Sequence, residues 1–134
     1  VVHGITPSSA NWVHYLRKDT DINKVEALPK KRRKSRKAEL SFMTLAQNQN
    51  MSLVQISLQT GRPHQIRVQF SHENYPIIGD HKYGFDRDDE PSAPALRAFR
   101  LRFNHPITNE FLDFKSPPKD SAPWTAFSEI LDAL

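Results

Sequence analysis

The chain has 134 residues, 37% hydrophobic and 25% charged, with 19 Lys and Arg against 15 Asp and Glu for a net charge of +4. That length supports one domain with a modest core, and no apolar run approaches the length of a membrane-spanning helix, so no membrane partner is expected. The chain has no cysteine, which excludes disulfides and thiolate metal sites and permits a reducing compartment.

Residues 1–5, Val-Val-His-Gly-Ile, have neither the basic nor the apolar region of a signal peptide, and they read as the interior of a longer protein. Residues 12–17 are bulky on both faces and follow Pro7-Ser8-Ser9, so they predict a short strand. Residues 19–37 are polar, charged and interrupted by Pro29, which suits a long loop or a frayed hairpin. Seven of the basic residues fall within 30–37, so elsewhere 12 Lys and Arg face 15 Asp and Glu. The basicity is therefore local. A run of this kind attracts a polyphosphate backbone in a salt-dependent way, or else it is only a solvated loop.

Ala38, Leu40, Phe42 and Thr44 alternate with more polar positions and predict a half-buried strand that ends at the turn Gln47-Asn48-Gln49-Asn50. Residues 52–59 return as a second strand with Val54, Ile56 and Leu58 on one face, giving an antiparallel pair. That pair delivers Thr60-Gly61-Arg62-Pro63-His64-Gln65-Ile66-Arg67, whose polar density is not core composition. Gly61 permits a turn, and Pro63 predicts a helix beginning at its own position, with Ile66 and Phe70 on one side and His64 and Arg67 on another. Ile66, Val68 and Phe70 also alternate with period two, so a continuing strand stays open on periodicity alone. Two guanidinium forks beside free helix amides call for an anion, a carboxylate or a phosphate.

Asn74-Tyr75-Pro76 closes the helix, and Pro76-Ile77-Ile78-Gly79-Asp80 is a short apolar run stopped by glycine. Residues 85–94 form an acidic loop, and 96–104 with 110–115 predict an aromatic hairpin. Trp124, Phe127, Ile130, Leu131 and Leu134 recur at helical spacing and predict a terminal amphipathic helix covering the sheet. The predicted fold class is α+β, a mixed or antiparallel sheet with few helices. His64, His72 and His81 lie within 18 positions but include no i, i+4 pair, so no metal site is expected.

Residues 54–68, with Thr60-Gly61-Arg62-Pro63-His64-Gln65-Ile66-Arg67 at their centre, are followed by Tyr75-Pro76-Ile77-Ile78-Gly79-Asp80-His81-Lys82-Tyr83-Gly84. Together these blocks resemble the RluA-type RNA pseudouridine synthases. Residues 96–103 and His105-Pro106 resemble that family's last strand and turn, although the family often carries histidine where Arg97 stands. The resemblance covers essentially the whole chain but only the C-terminal half of the family's catalytic domain, so residues 1–134 are expected to be that portion, with a basic loop at 29–37.

The resemblance implies a cytoplasmic enzyme that isomerises uridine in a structured RNA, ribosomal or transfer, without metal or redox cofactor. The family's essential aspartate, in a His-Arg-Leu-Asp block, and a tyrosine of a second block lie upstream, and neither block occurs in this chain. The isolated chain is therefore expected to be inactive. By position Arg62 is the partner of that aspartate, with Arg67 the second candidate; the alternative for Arg62 is a surface or RNA-phosphate contact. His64 and Gln65 would support the uracil pocket or else satisfy strand ends and turn carbonyls. Ile77 and Ile78 would wall the base or fill the core, and Tyr83 would stack on a base or plug the sheet. Lys31, Arg32, Arg33 and Lys34 would meet the RNA backbone. Asp80 is read as shaping its loop rather than as a catalytic acid. Two other readings are a non-catalytic RNA-binding module and a nuclear address in the basic run.

Overall fold

The computed structural model describes residues 1–118 and 120–134. Its centre is a five-stranded sheet in the order β1-β5-β4-β2-β3, antiparallel throughout, built from β1 (Val2–His3), β2 (Ser9–Asp19), β3 (Lys24–Leu28), β4 (Arg36–Gln47) and β5 (Met51–Leu58). The fold is α+β with an antiparallel sheet. Strand β2 is longer than the sequence suggests, because pairing on both sides carries it beyond its apolar stretch. The polar stretch after it is a hairpin into the edge strand β3, and the basic run forms the exposed connection from β3 to β4.

Alternation sets one face inward. Cross-strand pairing lines up Ala10 with Phe42 and Ile56, Trp12 with Leu40 and Leu58, and His14 with Ala38. Helix α1 (Gln65–His72) lies over this face and buries Phe70 and Val68 against it. The Trp12 ring meets Phe42 and Phe70 edge-on at 4.7 and 4.8 Å, a favoured aromatic geometry. Leu58 shares the face but is 51% exposed, since it lies at the strand end beyond the cover. On the opposite face Val13, Met43, Gln55 and Ser57 are open.

At the C-terminal end one expectation holds and one changes. The hairpin forms from β6 (Arg100–Asn104) and β7 (Phe111–Lys115), but it stands apart from the main sheet with Leu101, Phe103, Phe111 and Phe114 exposed. The terminal helix is short, a 3₁₀ turn at Trp124–Phe127 followed by α2 (Ser128–Asp132). Phe127 is buried in the core, and Trp124 and Leu131 pack against it, but Ile130 and Leu134 are left exposed. Five residues make little more than one turn, too few to lay the whole apolar stripe on the sheet.

Candidate functional site

The segment after β5 is fastened to the middle of β4. The Glu39 carbonyl accepts from the amides of Gln59 and Thr60 and from the Gln65 side-chain amide, at 3.1, 3.2 and 3.1 Å. The Glu39 amide in turn donates to the Thr60 hydroxyl at 2.9 Å. Arg62, Pro63, His64 and Gln65 then form a β-turn closed by the Gln65 amide on the Arg62 carbonyl at 3.1 Å. Pro63 sits where a fixed φ suits such a turn, and His64 takes the left-handed conformation, φ 55° and ψ 17°. Because a left-handed residue cannot continue an α-helix, α1 starts at Gln65 rather than at Pro63.

Gln65 is the keystone of this turn. Its side-chain oxygen accepts from the Arg62 amide at 2.9 Å and the Thr60 hydroxyl at 2.8 Å, while its nitrogen reaches Glu39. At 3% exposure it is inside the fold and not on a face open to RNA. Replacing Gln65 with leucine leaves the Arg62 amide without its acceptor and removes the tie to Glu39, whose carbonyl keeps the Gln59 and Thr60 amides; the expected loss is about 1–3 kcal/mol, measurable as a lower urea midpoint. Ile77 and Ile78 are interior too, at 1% and 5% exposure, beside Phe70 and Phe127. They serve the core.

The two arginines have different fates. Arg67 makes a two-pronged ion pair with Asp80, Nε to Oδ2 and Nη2 to Oδ1 both at 2.9 Å, and its guanidinium carbon stands 5.0 Å from the centre of the Tyr83 ring. Asp80, 1% exposed, also accepts from the amides of Lys82 and Tyr83, so it shapes the loop. Burial alone would raise the Asp80 pKa; the hydrogen bonds from Arg67 and the two amides, with the Arg67 charge, outweigh that and hold it below the usual carboxylate value. Arg62 is held differently: its Nε donates to the Lys37 carbonyl at 2.9 Å. Among the described residues no carboxylate pairs with Arg62.

That contact with Lys37 joins the turn to the basic connection, where Lys31, Arg32, Arg33 and Lys34 are all exposed. Lys34 is in the left-handed region at φ 60°, and the Ser35 hydroxyl closes the bend on the Arg32 carbonyl. Tyr83 lies half-buried under the turn against Val25, Leu16 and Val68, and its hydroxyl meets the Val25 amide at 3.3 Å and His64 Nδ1 at 2.7 Å. The sequence missed Thr60 and Glu39 as anchors of the turn, because the bonds that tie Glu39 to Thr60 and Gln65 join residues 21 and 26 apart.

The three histidines considered together in the sequence are apart. His64 is on Tyr83, His81 is on Asp86 and the Pro91 carbonyl, and His72 meets His14 edge-on. His14, His72 and Glu73 do bring ligand-type atoms within 4.8 Å of one another. There the Gln69 side-chain N–H faces His14 Nδ1 at 2.8 Å, so the ring proton sits on Nε2 and points to Glu73 at 2.7 Å. The proton occupies the edge a metal would need.

Residues 2–72 match the family model described as RNA pseudouridylate synthase. Over 91 residues the chain is 40% identical to the uncharacterized RNA pseudouridine synthase YlyB of Bacillus subtilis, covering 67% of this chain and 30% of that protein. It is 35% identical over 98 residues to the ribosomal large subunit pseudouridine synthase D of Haemophilus influenzae, covering 63% and 29%. The chain thus spans about a third or less of the length of these curated relatives. Among solved structures, human RNA pseudouridylate synthase domain containing 1 superposes with a TM-score of 0.74 at 21% identity, over 99% of this chain and 63% of that one, which shows a shared fold. With more than half of its residues inside the family model and its arginine turn in place, the chain belongs to the RNA pseudouridylate synthase family, in its RluA-type branch.

Proposed function

We propose that this chain forms the C-terminal part of a catalytic domain that isomerises uridine to pseudouridine in a structured RNA, ribosomal or transfer, with Arg62 as the cation facing the reactive carboxylate. The contrast between the two arginines carries the reading. Arg67 is committed to Asp80, whereas Arg62 is fixed through its backbone amide and its Nε, leaving both Nη ends of the fork without a carboxylate among the described residues. A guanidinium anchored at Nε presents its end-on pair of donors, a geometry suited to one carboxylate.

The reaction breaks the bond between ribose C1′ and uracil N1, turns the freed ring and joins C1′ to C5, with the C5 proton passing to solvent and N1 taking up a proton in exchange. Atoms and electrons balance without an oxidant. The uracil must leave its stack to be reached. In the resembling family an upstream aspartate attacks or takes the proton, and a buried carboxylate of that kind needs a neighbouring cation to stay ionised. The exposed run 30–37 supplies sequence-independent attraction for the RNA backbone.

Tritium release from C5-labelled uridine tests this. A longer protein containing this chain is expected to release tritium from ribosomal or transfer RNA, and the 134-residue chain alone is expected to release none. Turnover by the chain alone would contradict the assignment of the reactive carboxylate to another segment. A second reading, a non-catalytic RNA-binding module, is favoured by the exposed basic connection beside Arg62; it gains if neither protein releases tritium while both bind RNA.

A further inference from the structure

Outside the Arg62 contact, the strongest concentration of uncommitted donors lies around Tyr83. His64 stands over the Tyr83 hydroxyl at 2.7 Å, and the Lys82 ammonium is 5.6 Å from the ring centre. Lys18, paired with Val25 across β2 and β3, comes near enough for its charge to act on His64. The charged groups facing His64 are Arg67 from α1, Lys82 and Asp80 from the following loop, and Lys18 from β2; Tyr83 is the other titratable neighbour. Asp80 is already neutralised by Arg67. The surroundings are therefore net positive.

The hydrogen bonding also orients the imidazole. The Tyr83 oxygen accepts from the Val25 amide at 3.3 Å, so its own proton is free to go to His64 Nδ1 at 2.7 Å. His64 Nε2 then carries the ring proton, and among the described residues nothing accepts it. Partial burial and the Arg67 and Lys82 charges lower the His64 pKa, which keeps this neutral tautomer in place near neutral pH.

We propose that Lys18, His64 and Lys82, gathered around Tyr83, form a subsite for an RNA phosphodiester, with His64 donating from Nε2 and the two lysines neutralising the charge. It rests on the reading above that the bound polymer is RNA, and it adds a backbone contact on the β3 side of the arginine turn. Tyr83 is then the platform that sets the imidazole rather than a base-stacking surface. Because a phosphate reverses the local potential, occupancy raises the His64 pKa, and binding takes up a proton at pH values between the free and the bound pKa.

The test is a fluorescence titration of the chain with two labelled RNA stem-loops of unrelated sequence at several salt concentrations, using Lys18→Gln, Lys82→Gln and Lys31→Gln variants. Each lysine change is expected to weaken binding about fivefold, equally for both RNAs, and to lower the log–log salt slope by about 0.7–0.9. The His64 ring resonance is expected to titrate at higher pH with RNA than without, an effect that a merely structural histidine would not give. Binding that is intact in Lys18→Gln and Lys82→Gln but weakened in Lys31→Gln, with an unmoved His64 titration, overturns the subsite and leaves the RNA reading standing. Absence of binding by the unmodified chain overturns both. Unchanged thermal unfolding of the variants rules out a folding defect as the cause.

Discussion

Changing Arg62 to methionine in a protein that carries the whole catalytic domain is expected to lower the single-turnover rate of pseudouridine formation by about 10³-fold or more, some 4 kcal/mol of barrier. RNA affinity should change by only about threefold, because one phosphate-range cation among many is a small part of the backbone attraction. Structure puts the whole effect in the fork. The Arg62 backbone is gripped by Gln65 and its Nε by Lys37, so methionine keeps the stem and removes the donors. Lysine at this position restores a charge but not two coplanar donors, and should recover only part of the rate. A methionine variant with near-normal single-turnover rate would remove Arg62 from the chemistry.

The Arg67–Asp80 pair produces the largest expected effect on stability. With Asp80 1% exposed and Arg67 21% exposed, removing the arginine strands a buried carboxylate, whereas removing the carboxylate leaves a guanidinium that can still reach water. Arg67→Met is therefore expected to cost about 3 kcal/mol, and Asp80→Asn less. Chemical denaturation at pH 7 measures both. The pH dependence follows from the sign of the shift. The folded-state pKa of Asp80 lies below the ordinary aspartate value of 3.8, so the contribution is present above about pH 4 and is lost as pH falls through the folded value. Arg67→Met lacks that contribution, so its stability deficit against the parent should be full above about pH 4 and shrink as pH falls through the folded value of Asp80. A variant as stable as the parent would show the pair to be dispensable.

The sequence made the scaffold legible where period and turn chemistry agreed. The β4–β5 pair and the Gln47 to Asn50 turn read directly from alternation and polarity, and the arginine turn from Pro63; Gly61 is not the residue that needs freedom there, since a Cβ on it would meet nothing within 4 Å and the left-handed position is His64. The helix start did not read directly, because proline suits the second position of a β-turn as well as the first of a helix, and only the left-handed His64 decides between them. The different fates of Arg62 and Arg67 were equally hidden. Both are guanidiniums near one turn, but the choice of partner depends on where Asp80 folds back, 13 residues beyond Arg67. For Gln65, Ile77 and Ile78 the sequence left an RNA-facing and an interior role both open, and only burial decides for the interior. The subsite around Tyr83 joins β2 to a loop 64 residues later, a distance at which local pattern carries no signal.

The most direct test of Arg62 as the partner of a buried carboxylate is the pH profile of single-turnover tritium release, compared between the parent enzyme and its Arg62→Met variant. A guanidinium that keeps the carboxylate ionised lowers the pH at which the rate begins to fall. The acidic limb is expected to move upward by more than about one pH unit in the variant, with part of the lost rate returning at high pH. An acidic limb at the same pH in both proteins would contradict the account, however much slower the variant proved to be.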